Sequence, residues 1–141
     1  MPKTSEPLEL CIENDLAQLA VVRDHVGRFA RQENLSREVV FAAKLALEEL
    51  LTNTISYGYG DKRGQLIEIR MEVRGGELII HTVDGGLAFD PMKAKEPDTE
   101  LSLKDRALGG LGVHLVKNLM DGVAYRHKDG KNHVTLRKNL R

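Results

Sequence analysis

Glu49 and Asn53 fall four residues apart in the run Leu47-Glu48-Glu49-Leu50-Leu51-Thr52-Asn53. On a helix that spacing stacks the two side chains on one face. An amide oxygen is a hard donor of the kind Mg2+ prefers. A carboxylate one turn away can accept a proton or orient a hydroxyl nucleophile. At about 100° per residue, Glu48 turns away from Glu49, to the far side from the apolar stripe of Val39, Ala43, Leu47 and Leu50. Glu49 and Asn53 then lie at the stripe's edge, where they can look into a pocket beside the core.

Two glycine-bearing segments carry complementary chemistry. Val83-Asp84-Gly85-Gly86-Leu87-Ala88-Phe89-Asp90-Pro91 follows a strand pattern. An Asp leaving a strand can accept a hydrogen bond from an exocyclic amine, and glycines let a flat ring approach the backbone. Phe89 is expected to anchor this segment in the core. Leu108-Gly109-Gly110-Leu111-Gly112-Val113-His114-Leu115-Val116 is a glycine run that opens a helix. Free N–H groups and the helix dipole favour phosphate at such a point, and glycine lets the backbone wrap an anion. No Lys-Ser or Lys-Thr follows Gly112, and no βαβ crossover surrounds it, so neither a Walker A loop nor a dinucleotide fold is indicated. Each segment alone also has a plain structural account: boundary polar residues on a helix, an Asp-Gly turn, a helix-opening loop. Together they supply a metal ligand, a base acceptor and a phosphate loop in one small domain.

The surrounding pattern must position them. Residues 8–13 alternate as a half-buried strand does. Asn14 and Asp15 are good helix caps before helical spacing over 16–32, and Ser36 can cap a second helix to about residue 56. Strands are expected over 66–73 and 78–83, joined by a hairpin turn at Arg74-Gly75-Gly76-Glu77. Periodicity then fails for the 25 residues from Asp84 to Leu108, a length that calls for a functional reason. A third helix over 112–120 and a hairpin of 123–127 with 134–137, turned at Asp129-Gly130, complete the chain. The order β-α-α-β-β-loop-α-β-β predicts an α+β two-layer sandwich, a mixed, mainly antiparallel sheet covered on one face by three helices.

Composition narrows the class. The chain has 141 residues, 41% of them apolar and 30% charged, enough for one domain with one core. Its 21 basic and 21 acidic residues cancel, so it lacks the basic footprint of a nucleic-acid binder. No apolar run approaches the roughly 20 residues of a membrane span, and the first residues lack a secretion signal's apolar core. A cytoplasmic protein with no membrane and no nucleic-acid partner is expected. The single cysteine, Cys11, is read as a buried packing residue of its strand. The five histidines are scattered, and no Cys/His cluster suggests zinc.

The three motifs in this order resemble those of the stand-alone GHKL ATPases, specifically the anti-sigma-factor serine/threonine kinases. The likeness runs from about Leu8 to Lys138 and covers Glu49 to Asn53, Asp84 to Pro91, and the glycine box from Gly109 to Asp121, with the closing Val134-Thr135-Leu136-Arg137-Lys138 strand. It implies a GHKL-type fold in a single domain spanning 1–141, with ATP and Mg2+ as cofactors. Asn53 would coordinate Mg2+, and Glu49 would act as general base or orient the substrate hydroxyl. Asp84 would accept the adenine amine, with Gly86 shaping the base pocket. Gly109, Gly110, Leu111 and Gly112 would form the phosphate loop, with Arg106 and Lys104 as nearby cations. Residues 92–108 would be the ATP lid. The implied partner is a STAS-domain anti-sigma-factor antagonist phosphorylated on serine or threonine. Some relatives also hold a sigma factor, and many are homodimers. The alternative is an ATP-gated module that sequesters a sigma factor or another regulator without phosphorylating it. The sequence departs from the family at Tyr57, where many relatives have histidine, and at Leu108, where some have a basic residue.

Overall fold

Strand alternation decides which residues build the core. β1 (Leu8–Glu13), β2 (Leu66–Arg74), β3 (Glu77–Asp84), β4 (Gly122–Lys128) and β5 (Lys131–Asn139) form one sheet in the order β1-β2-β3-β5-β4. The computed structural model describes residues 6–88 and 112–140. Within them every strand pairing is antiparallel, so the sheet expected to be mixed is wholly antiparallel there. The register sets Ile12 opposite Ile67, Met71 opposite Ile80, and Ile80 opposite Leu136. Because side chains alternate with period two, this lays one continuous apolar face across the strands. Both hairpins turn through two residues with positive φ, Gly75 and Gly76 in one and Asp129 and Gly130 in the other, as the right-handed strand twist favours. β4 and β5 run further than the apolar pattern suggested, because pairing continues through Lys128 and Lys131 up to the turn itself.

Three helices close over that face. α1 (Leu19–Gln32) contributes Leu19, Val22, Val26 and Phe29 to the core, and α2 (Arg37–Tyr57) contributes Val39, Ala43, Ala46, Leu47, Leu50 and Leu51. α3 (Gly112–Leu119) contributes Val116, with Met120 just beyond it, and packs against α2. Ser36 caps α2 as expected, its Oγ accepting from the Val39 N–H at 3.2 Å. The start of the first helix differs. A 3-10 turn, Leu16–Gln18, precedes α1, and Asp15 caps that turn through the Ala17 N–H. Asn14 serves a different purpose: its amide donates to Lys62 O at 2.7 Å and accepts from the Gln65 N–H at 3.0 Å, tying the end of β1 to the start of β2.

The other face of the sheet is open. Leu8, Leu10 and Ile12 point inward, so Glu9, Cys11 and Glu13 point outward, and Cys11 is exposed. The expected burial of Cys11 is therefore wrong. The strand was identified correctly, but its phase is set by Ile12, whose fully buried side chain faces Ile67. No helix among the described residues is long and apolar enough to cross a membrane.

Candidate functional site

The last two turns of α2, the end of β3 and the start of β5 meet around a cavity of about 290 Å³. α2 lines it with Leu50, Asn53, Thr54 and Tyr57, β3 with Asp84, the following turn with Leu87 and Ala88, and β5 with Asn132 and Val134. A mainly apolar cavity with a few polar groups is the usual form of a small-molecule site, and this volume is close to the lower end of the usual range, about 300 Å³. It suits a flat heterocycle.

Asp84 is the polar centre. It is 6% exposed and sits where β3 ends. Its Oδ1 accepts from the Gly86 N–H at 2.9 Å and from Asn132 Nδ2 at 3.0 Å. The glycine after it is required by close approach rather than by backbone angle. A Cβ on Gly86 would lie 2.7 Å from the Gly58 carbonyl oxygen and 3.1 Å from Asp84 Oδ1. The Leu87 N–H donates to that same Gly58 oxygen at 2.7 Å, which fastens the turn to the end of α2.

Asn132 is a site residue that sequence reasoning missed. It is 3% exposed, and its amide also donates to Leu87 O at 2.9 Å while accepting from Tyr125 Oη at 2.6 Å. One side chain thereby holds the Asp carboxylate, the turn after it and the β4–β5 hairpin together. The signal was present: Asn132 shares the inward phase of Val134 and Leu136, and a polar residue on the core face needs partners. Tyr59 was missed as well. It is buried, its hydroxyl has no hydrogen-bond partner, and its pKa is pushed up to about 12, first by burial and then by the Asp84 charge. The Gly85 amide pulls it the other way without reaching hydrogen-bond geometry.

On α2 the residues divide. Asn53 is 7% exposed, lines the cavity, and its Nδ2 has no partner. Glu49 lies one turn earlier, half-buried, and is not part of the cavity wall. Glu48 turns away from the cavity and pairs with Arg23 of α1 at 2.6 Å in a solvent-exposed ion pair. Gly112 is the first residue of α3. Phe89, Lys104, Arg106, Leu108, Gly109, Gly110, Leu111 and the lid at 92–108 lie outside the described residues.

The site is thus a pocket walled by an Asn-bearing helix, with a buried Asp84 at the head of an Asp-Gly-Gly turn on an antiparallel sheet. The model of the histidine kinase-like ATPase domain matches residues 12–138. The chain belongs to the histidine kinase-like ATPase domain family. It is 29% identical over 137 residues to the serine/threonine-protein kinase BtrW of Bordetella bronchiseptica, covering 96% of this chain and 94% of that one. It is 28% identical over 129 residues to an anti-sigma F factor of Clostridium botulinum, covering 86% of this chain and 85% of that one. Against the serine-protein kinase RsbW of Bacillus thuringiensis it is 26% identical, over 92% of this chain and 83% of that one. These relatives group this histidine kinase-like ATPase with the anti-sigma-factor kinases, and so among protein kinases. The fold agrees with a crystal structure of the RsbU and RsbW domains of a Mycobacterium tuberculosis protein, at a TM-score of 0.70 and 16% identity. The match covers 96% of this chain and 32% of that longer one.

The residues present fit a nucleotide with its metal. Asn53 carries a buried amide without a partner on its nitrogen, in the cavity wall, and its oxygen is a donor of the type Mg2+ takes. No cluster of three or more metal-binding side chains exists among the described residues.

Proposed function

We propose that the cavity receives the adenine of Mg-ATP and that the chain passes the terminal phosphoryl group to a serine or threonine of a STAS-domain anti-sigma-factor antagonist, regulating a sigma factor by partner switching in the cytoplasm. The observation that carries the reading is the buried Asp84 carboxylate in the cavity wall. Its Oδ1 is occupied by Gly86 and Asn132, which leaves Oδ2 to accept the adenine amine. Leu50, Leu87 and Val134 supply apolar contact for the ring. Asn53 offers its amide oxygen on the side of α2 that faces the cavity. Bound Mg2+ would neutralise charge between the phosphates. Gly109, Gly110 and Leu111, which precede α3 in the sequence, and Gly112, its first residue, would bind the phosphates through backbone N–H groups, with Arg106 as a cation. Glu49, one turn before Asn53, orients the incoming hydroxyl or takes its proton.

The experiment is phosphotransfer from labelled ATP to a candidate antagonist. Label on the antagonist with wild type and its loss in Glu49→Ala, with ATP binding retained, is the expected result. Absence of label with wild type, in the presence of demonstrated ATP binding, refutes the transfer step. One observation favours the alternative, an ATP-gated module that sequesters a sigma factor without phosphorylating it: Glu49 stands outside the cavity wall. Capture of a sigma factor that requires ATP, survives Glu49→Ala and fails in Asn53→Ala would select that reading.

A further inference from the structure

The open face of the sheet, behind the cavity, holds a paired imidazole arrangement that nucleotide chemistry does not use. His81 on β3 stands opposite Thr135, and His133 on β5 stands opposite Val83, so the two rings are diagonal neighbours on adjacent strands. His133 Nδ1 lies 3.4 Å from His81 Nε2, with ring centroids 5.5 Å apart and planes tilted by 40°. Both side chains are half-buried.

The Nδ1 nitrogen of His81 has a partner of its own, a threonine hydroxyl that can accept or donate a hydrogen bond. His81 Nδ1 lies 3.0 Å from Thr135 Oγ1. In the tautomer with its proton on Nδ1, His81 donates to that hydroxyl and its Nε2 lone pair faces His133; this is the tautomer the site uses. This is the outer-shell pattern that orients metal-ligating imidazoles. His81 is also held in its neutral form: burial first, then His133, Arg126 and Arg70, lower its pKa below the ordinary 6.5.

We propose that His81 Nε2 and His133 Nδ1 form a two-histidine site for a d-block divalent cation of the Zn2+ or Cu2+ type, with water completing the coordination. Zn–N bonds of about 2.0–2.1 Å at the tetrahedral angle separate two ligand nitrogens by roughly 3.3–3.4 Å, and the observed separation is 3.4 Å. The same geometry places the ring centroids about 5.2 Å apart, against 5.5 Å observed, so the rings close onto the ion with a small tilt. His133 binds through Nδ1 as its Nε2–H tautomer, so its single ring proton sits on Nε2 when the ion is bound. Glu68, which pairs with Val83 on the same face, adds negative charge near the ion. Arg70 opposes binding but is engaged by Glu9, and by Glu72 at 3.9 Å; Arg126 opposes it from β4. Two protein ligands give a modest site, filled more tightly by Cu2+ than by Zn2+. The inference does not rest on the nucleotide reading.

The test titrates the whole chain with Zn2+ alone and with Cu2+ alone, without nucleotide. One equivalent of each should bind. His81→Gln or His133→Gln should weaken that binding at least tenfold, the double substitution should add little, and Thr135→Val should weaken it by a smaller factor. Nitrogen NMR of the imidazoles should show His81 protonated on Nδ1 and both rings shifting with added Zn2+. Melting curves of the variants in metal-free buffer report whether they fold, and Thr135→Val leaves both ligands in place. Binding at wild-type strength in His81→Gln and His133→Gln, or no stoichiometric binding in wild type, overturns the proposal.

Discussion

Replacing Asn132 by alanine is the sharpest test of the cavity's architecture. The substitution removes the donor to Asp84 Oδ1 at 3.0 Å, the donor to Leu87 O at 2.9 Å and the acceptor of Tyr125 Oη at 2.6 Å. A hydrogen bond to a carboxylate contributes about 1.5–3 kcal/mol and a neutral one about 0.5–1.5 kcal/mol. Water entering from the adjoining cavity recovers part of each, so the expected loss of stability is about 2–4 kcal/mol. Asp84 keeps its bond from the Gly86 N–H, so half its tether survives. Loosening the remaining half should raise the Kd for ATP about tenfold, or roughly 1.4 kcal/mol. Urea denaturation gives the first quantity and calorimetric titration of Mg-ATP the second. Asn132→Asp should be worse on both counts, since it places a second carboxylate against Asp84 and removes the donor. If Asn132→Ala folds as stably as wild type, the hydrogen-bond network is not formed. If it loses stability yet binds ATP within twofold of wild type, Asp84 is positioned by Gly86 alone and the reasoning fails.

Gly86→Ala puts a Cβ 2.7 Å from the Gly58 oxygen, so the turn must shift and the Leu87 N–H bond to that oxygen breaks; ATP affinity should fall at least tenfold with a stability loss of about 1–3 kcal/mol, and unchanged calorimetry would show that the turn yields. Tyr59→Phe deletes a buried hydroxyl that has no partner, so urea unfolding should show no loss, or a gain of up to about 1 kcal/mol; a clear loss would mean that the hydroxyl has a partner. His81 has a lowered folded pKa against an ordinary value of 6.5, so the unfolded chain binds its proton first as pH falls, and stability declines from about pH 6.5 downward while His81 adds no dependence above it. Tm measured from about pH 7 to pH 5 should fall less steeply in His81→Gln; equal slopes would remove His81 as the cause.

Most of the fold was legible because its signals are local and repeated. The period-two runs in β2 and β3, the two-residue turns and the Ser36 cap each determine structure within a few residues. The helical phase expected both Glu49 and Asn53 to look into the pocket, and of the two only Asn53 lines the cavity. Cys11 shows what such signals lack. A strand of alternating residues has two faces, and only the pairing of Ile12 with Ile67 says which one is inside. Glu48 shows a similar gap, since its partner Arg23 lies in another helix, 25 residues away.

Asn132 lies between these cases and explains why the site was only partly readable. Asp84 announces itself by its own neighbours, Gly85 and Gly86, which are adjacent in the chain. Asn132 is 48 residues away from Asp84 and meets it only because β3 and β5 pair in one register. That register also sets His81 against Thr135 on the opposite face. Shifting β5 by one residue would turn Asn132 out of the cavity and His133 into it. The pairing of β3 with β5 therefore fixes both the cavity floor and the imidazole pair behind it, and a perturbation of either face should be felt at the other through those two strands.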